Sequence, residues 1–257
     1  MSVERVGEEN VEKIPDAAGA PVEYSIPVPR YTVVLLICIA AVFFVQVWVD
    51  RPGLTGDFLF HELVRSAEIA GFVKPAFYHG AEYWRILTGA FLHGFLVHVL
   101  LNGYAFYSFG KLFELLTNRA HLAIVFLLSA VGGGLLSFYF LPGGTSVGAS
   151  GGIVGLIGYL LIYAFRRRQF VSSEFRKSLL LNIGFILVFG LVLYRIVDNW
   201  GHIGGLLAGA GYGLLQISGD PYKNPQDAGN ATEVLGLVAL GICIAAALFS
   251  IYLMLSA

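Results

Sequence analysis

The chain has 257 residues, of which 57% are hydrophobic and only 13% charged, with a mean hydropathy of +0.75. Soluble domains carry roughly a quarter charged residues, so a water-soluble globule is excluded. A net charge of -1, with the charges gathered into a few segments, leaves no electrostatic footprint for nucleic acid, and the two cysteines, Cys38 and Cys243, lie inside apolar runs where a disulfide framework is not expected.

Residues 1–30 mix Glu, Lys, Pro and Gly without an apolar period and read as a flexible cytosolic tail rather than a signal peptide. Residues 31–49 are apolar over about the 20 residues a bilayer-crossing helix needs and end at a Pro-Gly breaker. The stretch 50–85 is too polar to cross and reads as a large loop with short amphipathic helices at the interface. Further spans are expected over 95–116, 122–141, 148–165, 179–194, 201–217 and 234–255, which makes seven. Arg166, Arg167, Arg168, Arg176 and Lys177, between the fourth and fifth spans, predict a cytoplasmic loop. Counting from that loop places the N-terminus in the cytoplasm. Residues 50–85, the Pro142-Gly143-Gly144 turn and the C-terminus then lie outside.

Three of these spans hold polar residues that lipid would not tolerate. In the second, His98 and Asn102 are four apart and share a helical face, with His93 just before them; as isolated residues they could equally be glue between helices. Gly148-Ala149-Ser150-Gly151 opens the fourth. A serine between glycines at a helix start has an accessible hydroxyl and backbone N–H groups nearby for a developing anion, although an N-cap serine in a Gly-rich turn would look the same. The sixth opens with Asn199-Trp200-Gly201-His202, and Gly201, Gly205, Gly209 and Gly213 repeat every four residues. Gly151 and Gly155 offer a matching small face, so the two helices are expected to pack backbone to backbone and bring Ser150 to His202. His202 satisfied by a carbonyl, with the glycines serving packing alone, is the other reading. His61, His79 and His121 are assigned no chemistry.

Taken together, Trp84-Arg85, then His93, His98 and Asn102, then Gly148-Ala149-Ser150-Gly151, then His202 with Gly205, resemble the rhomboid intramembrane serine proteases. The resemblance covers 31–217. It implies an all-α, polytopic membrane helical bundle with a six-helix core, followed by a linker over 218–233 and an additional transmembrane helix over 234–257. It also implies Ser150 as nucleophile and His202 as general base, with the Ser150 N–H, His98 and Asn102 forming the oxyanion hole and Trp84-Arg85 steadying the outer loop. No metal or cofactor is implied. The expected partners are the lipid bilayer and a transmembrane protein substrate, entering near the fifth span and cut where its helix unwinds, and the expected location is the plasma membrane with the site toward the outer face. The sequence departs from the family at Val154, where relatives often carry an aromatic beneath the histidine. Two rivals are a transporter, disfavoured because the ionisable residues cluster at one depth, and a non-catalytic relative that only binds membrane helices.

Overall fold

A computed structural model describes residues 28–51 and 59–257, so the tail expected over 1–30 falls almost wholly outside the described residues. Among the described residues the chain is a helical membrane bundle with one small ribbon of sheet. The first long helix is α1 (Arg30–Asp50). Then come α2 (Val64–Ala70), β1 (Phe72–Val73), α3 (Lys74–His79) and α4 (Arg85–Thr88), the short elements of the polar loop. Six long helices follow: α5 (Leu96–Leu116), α6 (Arg119–Phe140), α7 (Ser150–Arg166), α8 (Ser173–Val192), α9 (Asn199–Gln216) and α10 (Asn230–Ser256). Between α6 and α7 lies β2 (Thr145–Ser146), antiparallel to β1 with Phe72 opposite Ser146.

All seven expected spans are helices, displaced where caps rather than apolar length decide the boundary. The fourth begins at Ser150 instead of 148, because Gly148 has φ +129°, a left-handed conformation open to glycine and incompatible with a right-handed helix. The fifth begins at Ser173, well before its apolar run, because the Ser172 side chain accepts the Phe175 N–H. The seventh begins at Asn230. The polar loop runs past 85 to Phe95, and its α2 is capped from α1: the Asp50 carboxylate accepts the N–H groups of Arg65 (2.8 Å) and Ser66 (3.1 Å).

Four of the seven helices, α1, α6, α8 and α10, are long and apolar enough to cross a membrane by length and composition; α7 is apolar but has 17 residues. α9 is the centre of the bundle, packed between α6 and α7, and α10 lies against α6 and α1. α8 is the loosest helix, with Leu179, Ile183 and Gly190 its buried residues. The C-terminal part of α10 returns to the polar loop, where Phe249 meets Trp84 edge to face (5.3 Å). At the other end, Asn118 before α6 donates to Glu233 of α10 (2.9 Å) and to the Gln226 carbonyl (3.0 Å), so the 218–233 linker is tied down. The same end holds His121, buried and bonded through Nδ1 to Tyr212 Oη (2.8 Å), a structural role in keeping with its exclusion from the chemistry.

Candidate active site

The site is built where α5, α7 and α9 begin at one end of the bundle. Its geometry starts with glycine. A Cβ on Gly205 would stand 2.1 Å from the Gly151 carbonyl oxygen, and one on Gly209 1.9 Å from that of Gly155. Only residues without side chains let these backbones meet, and the contact sets the first turn of α9 beside the first turn of α7.

Ser150 is the first residue of α7 and His202 the fourth of α9. His202 Nε2 lies 2.8 Å from Ser150 Oγ, within hydrogen-bonding distance. His202 is buried, and its Nδ1 has no hydrogen-bond partner among the described residues, so no carboxylate orients the ring from behind.

His98, in the first turn of α5, accepts the Gly94 N–H at Nδ1 (3.4 Å), which places its proton on Nε2. That Nε2 faces Gly148: a Cβ there would stand 3.0 Å from it, and 3.9 Å from Ser150 Oγ. The His98 ring therefore rests against the turn that delivers Ser150. Asn102, one turn further along α5, donates through Nδ2 to the His98 carbonyl (3.0 Å), and its buried Oδ1 has no partner among the described residues. The structure thus brings Ser150, His202 and His98 together and keeps Asn102 on the same face of α5, with one of its two amide protons occupied. His93 is fully buried and serves the scaffold: its N–H donates to Gln46 Oε1 (2.9 Å), its carbonyl accepts from Gln46 Nε2 (3.0 Å), and its ring packs on His98 with centroids 5.0 Å apart.

Val154 is buried, and among the described residues no aromatic ring stacks on His202. The start of α9 is instead gripped by residues outside the expected set. Asp198 caps the helix, Oδ1 accepting the Gly201 N–H (2.9 Å). Asn199 donates to the Leu187 carbonyl of α8 (3.1 Å), and Trp200 stacks on Phe140 at the end of α6 (3.7 Å, 11°). A polar Asp-Asn pair directly before a Gly-rich span was the signal in the sequence that could have found them.

A cavity of about 60 Å³, large enough to admit water, is lined by Ser150 together with Ser146, Gly148, Asp198 and Gly201 among others. In the polar loop Arg85 donates to the carbonyls of Glu68 (3.1 Å) and Gly71 (2.9 Å), pairs with Glu82 and lies over the Trp84 ring (4.6 Å), tying α2, α4 and the turn into β1 together.

Residues 80–219, just over half of the chain, match the family model described as Rhomboid domain. RHOMBOID-like protein 6, mitochondrial, of Arabidopsis thaliana is 34% identical over 140 residues, 54% of this chain and 45% of that protein. Rhomboid protease GluP of Bacillus subtilis (strain 168) is 35% identical over 128 residues, 50% of this chain and 25% of that protein. Inactive rhomboid protein 1 of Papio anubis is 31% identical over 130 residues, 50% of this chain and 15% of its own length. The matched part of the chain spans less than half of each of these relatives.

Proposed function

This chain belongs to the rhomboid family, and we propose that it is an intramembrane serine endopeptidase that hydrolyses a peptide bond in or near the transmembrane helix of a membrane protein. Membership alone does not decide activity, since the similar proteins include one named inactive. The observation that carries the reading is the 2.8 Å contact between Ser150 Oγ and His202 Nε2 at the meeting of two helix starts. A protein that only binds membrane helices has no use for a hydroxyl held against an imidazole.

In this reading His202 takes the Ser150 proton as Oγ attacks the scissile carbonyl carbon. Negative charge then collects on the carbonyl oxygen, where the Ser150 N–H and the side chains of His98 and Asn102 supply donors. The tetrahedral intermediate collapses, His202 returns the proton to the departing amine, and the new N-terminus leaves. Water then attacks the acyl-serine ester with His202 again as base, releasing the carboxylic acid and restoring the hydroxyl.

Entry of a helical substrate beside α8 is supported by the sparse burial of that helix, whose buried residues are Leu179, Ile183 and Gly190. The arginines between α7 and α8 support an orientation with the N-terminus cytoplasmic and the site toward the outer face of a plasma membrane. The test is reaction of the purified protein with a fluorophosphonate. Labelling mapped to Ser150, and lost in Ser150→Ala and His202→Ala, is the expected result, whereas labelling that survives Ser150→Ala sinks the reading.

A further inference from the structure

With nothing bonded to His202 Nδ1 among the described residues, the ring is placed by the backbone of α9 and not by a partner behind it. What holds that backbone converges on one carboxylate. Asp198 Oδ1 accepts the Gly201 N–H, and the Asp198 carbonyl accepts the His202 N–H (3.1 Å). Asp198 Oδ2 accepts the hydroxyls of Ser137, at the end of α6, and Ser146, in β2 (2.6 Å). Lys74, the first residue of α3, brings its Nζ to 3.9 Å from the same oxygen, although its side chain is only 1% exposed.

Capping does not account for this arrangement. An asparagine or serine would cap α9 as well, without a charge and without a buried ammonium to neutralise it. A lysine in such surroundings costs several kcal/mol unless it is paired. The carboxylate also reaches both halves of the serine–histidine contact. Ser146 lies four residues before Ser150, on the strand that enters the Gly148 turn, and Gly201 adjoins His202. The β1–β2 ribbon leads directly into Lys74, whose own N–H donates to the Gly144 carbonyl (3.2 Å).

We propose that Asp198 and Lys74 are a positioning pair for His202, an ion pair between a buried lysine and a half-buried aspartate that locks the segment delivering the serine to the helix delivering the histidine. Neither side chain hydrogen-bonds the Ser150 hydroxyl or the His202 ring. The pair sets the distance across which the proton moves, and so acts on turnover rather than on substrate binding. This inference rests on the reading of Ser150 and His202 as nucleophile and base.

Asp198→Asn, Lys74→Met and the double variant test it. Each is measured for kcat and KM on a fluorescent transmembrane peptide in detergent, for the rate of fluorophosphonate labelling at Ser150, and for its thermal midpoint. Asp198→Asn keeps a capping side chain and loses the charge, so kcat and labelling per folded molecule should fall roughly tenfold to a hundredfold, with KM within about twofold of the parent. The double variant, with no unpaired charge left buried, should regain the thermal midpoint but not kcat. Parental kcat in Asp198→Asn, or recovery of kcat together with stability in the double variant, overturns the pair while leaving the Ser150 reading intact. A parent protein that neither cleaves the peptide nor labels at Ser150 overturns both.

Discussion

Gly205 faces Gly151 so closely that a Cβ added to Gly205 would stand 2.1 Å from the Gly151 carbonyl oxygen, well inside any allowed contact. Backbone cannot move aside as a flexible side-chain tip can. Gly205→Ala therefore has to push α9 away from α7 at the level where Ser150 meets His202. Overpacking of this kind costs about 1–3 kcal/mol, and the expected outcome is a lowered thermal midpoint in detergent with peptide cleavage lost. Gly211 lies on the same helix with nothing within 4 Å of its Cβ position, so Gly211→Ala should keep both stability and activity. Equal behaviour of the two variants would show that the close approach does not govern the site.

The polar residues of the site should separate by role. His202→Ala is expected to bring peptide cleavage below detection, because it removes the base bonded to Ser150 Oγ. His98→Ala and Asn102→Ala each remove one donor while the Ser150 N–H remains, and loss of one such donor costs roughly a hundredfold to a thousandfold in rate. Steady-state cleavage by the three variants, normalised to folded protein, checks the division; complete and equal loss in all three argues against it.

Asp198 gives the protein an acid-sensitive contact. Burial pushes its carboxyl up, but the hydroxyls of Ser137 and Ser146, the Gly201 N–H and the Lys74 ammonium outweigh burial and hold it below the ordinary value. A carboxyl with a depressed folded-state pKa stabilises the fold above its unfolded value, about 3.9, and loses that contribution as pH falls through the lower, folded value. Thermal midpoints of the parent should therefore drop more steeply below about pH 4 than those of Asp198→Asn. Parallel pH profiles would show that the carboxylate is not held as described. Lys74 has the opposite balance: burial pulls its ammonium below the ordinary lysine value and Asp198 only partly restores it.

Topology can be read with single cysteines in a background lacking Cys38 and Cys243. Gly143 and Arg168 are both exposed and lie at opposite ends of the bundle. A membrane-impermeant thiol reagent added to intact cells should label Gly143→Cys and leave Arg168→Cys unreacted until the membrane is opened. Arg167 is a poor probe, being buried with its guanidinium on the carbonyls of Ser218 (2.9 Å) and Lys223 (3.1 Å). Reversed labelling would place the site on the cytoplasmic face.

The spans were legible in the sequence because a bilayer imposes the length of every crossing helix, and an apolar run such as 31–49 has no other use. The pairing of Ser150 with His202 was legible through glycines at fixed spacing, since backbone contact between helices leaves a four-residue signature. Lys74 and Asp198 were not: 124 positions separate them, no periodicity links them, and a lysine in Gly-Phe-Val-Lys-Pro reads as an ordinary loop residue. Nor could two-residue strands be foreseen, because the ribbon from Phe72 to Ser146 depends on where α6 ends rather than on strand-forming sequence. The valine at 154 told of a missing aromatic, but not that grips at Asp198, Asn199 and Trp200 hold the start of α9.

α5, α7 and α9 depend on their neighbours to stay in a bilayer. α5 carries His98, Asn102, Lys111 and Glu114, α9 carries a histidine and a ladder of glycines, and the 17 residues of α7 rise only about 26 Å against a hydrocarbon core of about 30 Å. The apolar α1, α6, α8 and α10 can partition unaided. During synthesis the serine emerges one helical hairpin ahead of the histidine, and the two remain apart until α9 has docked through its glycines between α6 and α7. If Ser150 and His202 act as proposed, a nascent or partly unfolded chain cannot attack its membrane neighbours, and chemical competence is a property of the finished assembly alone.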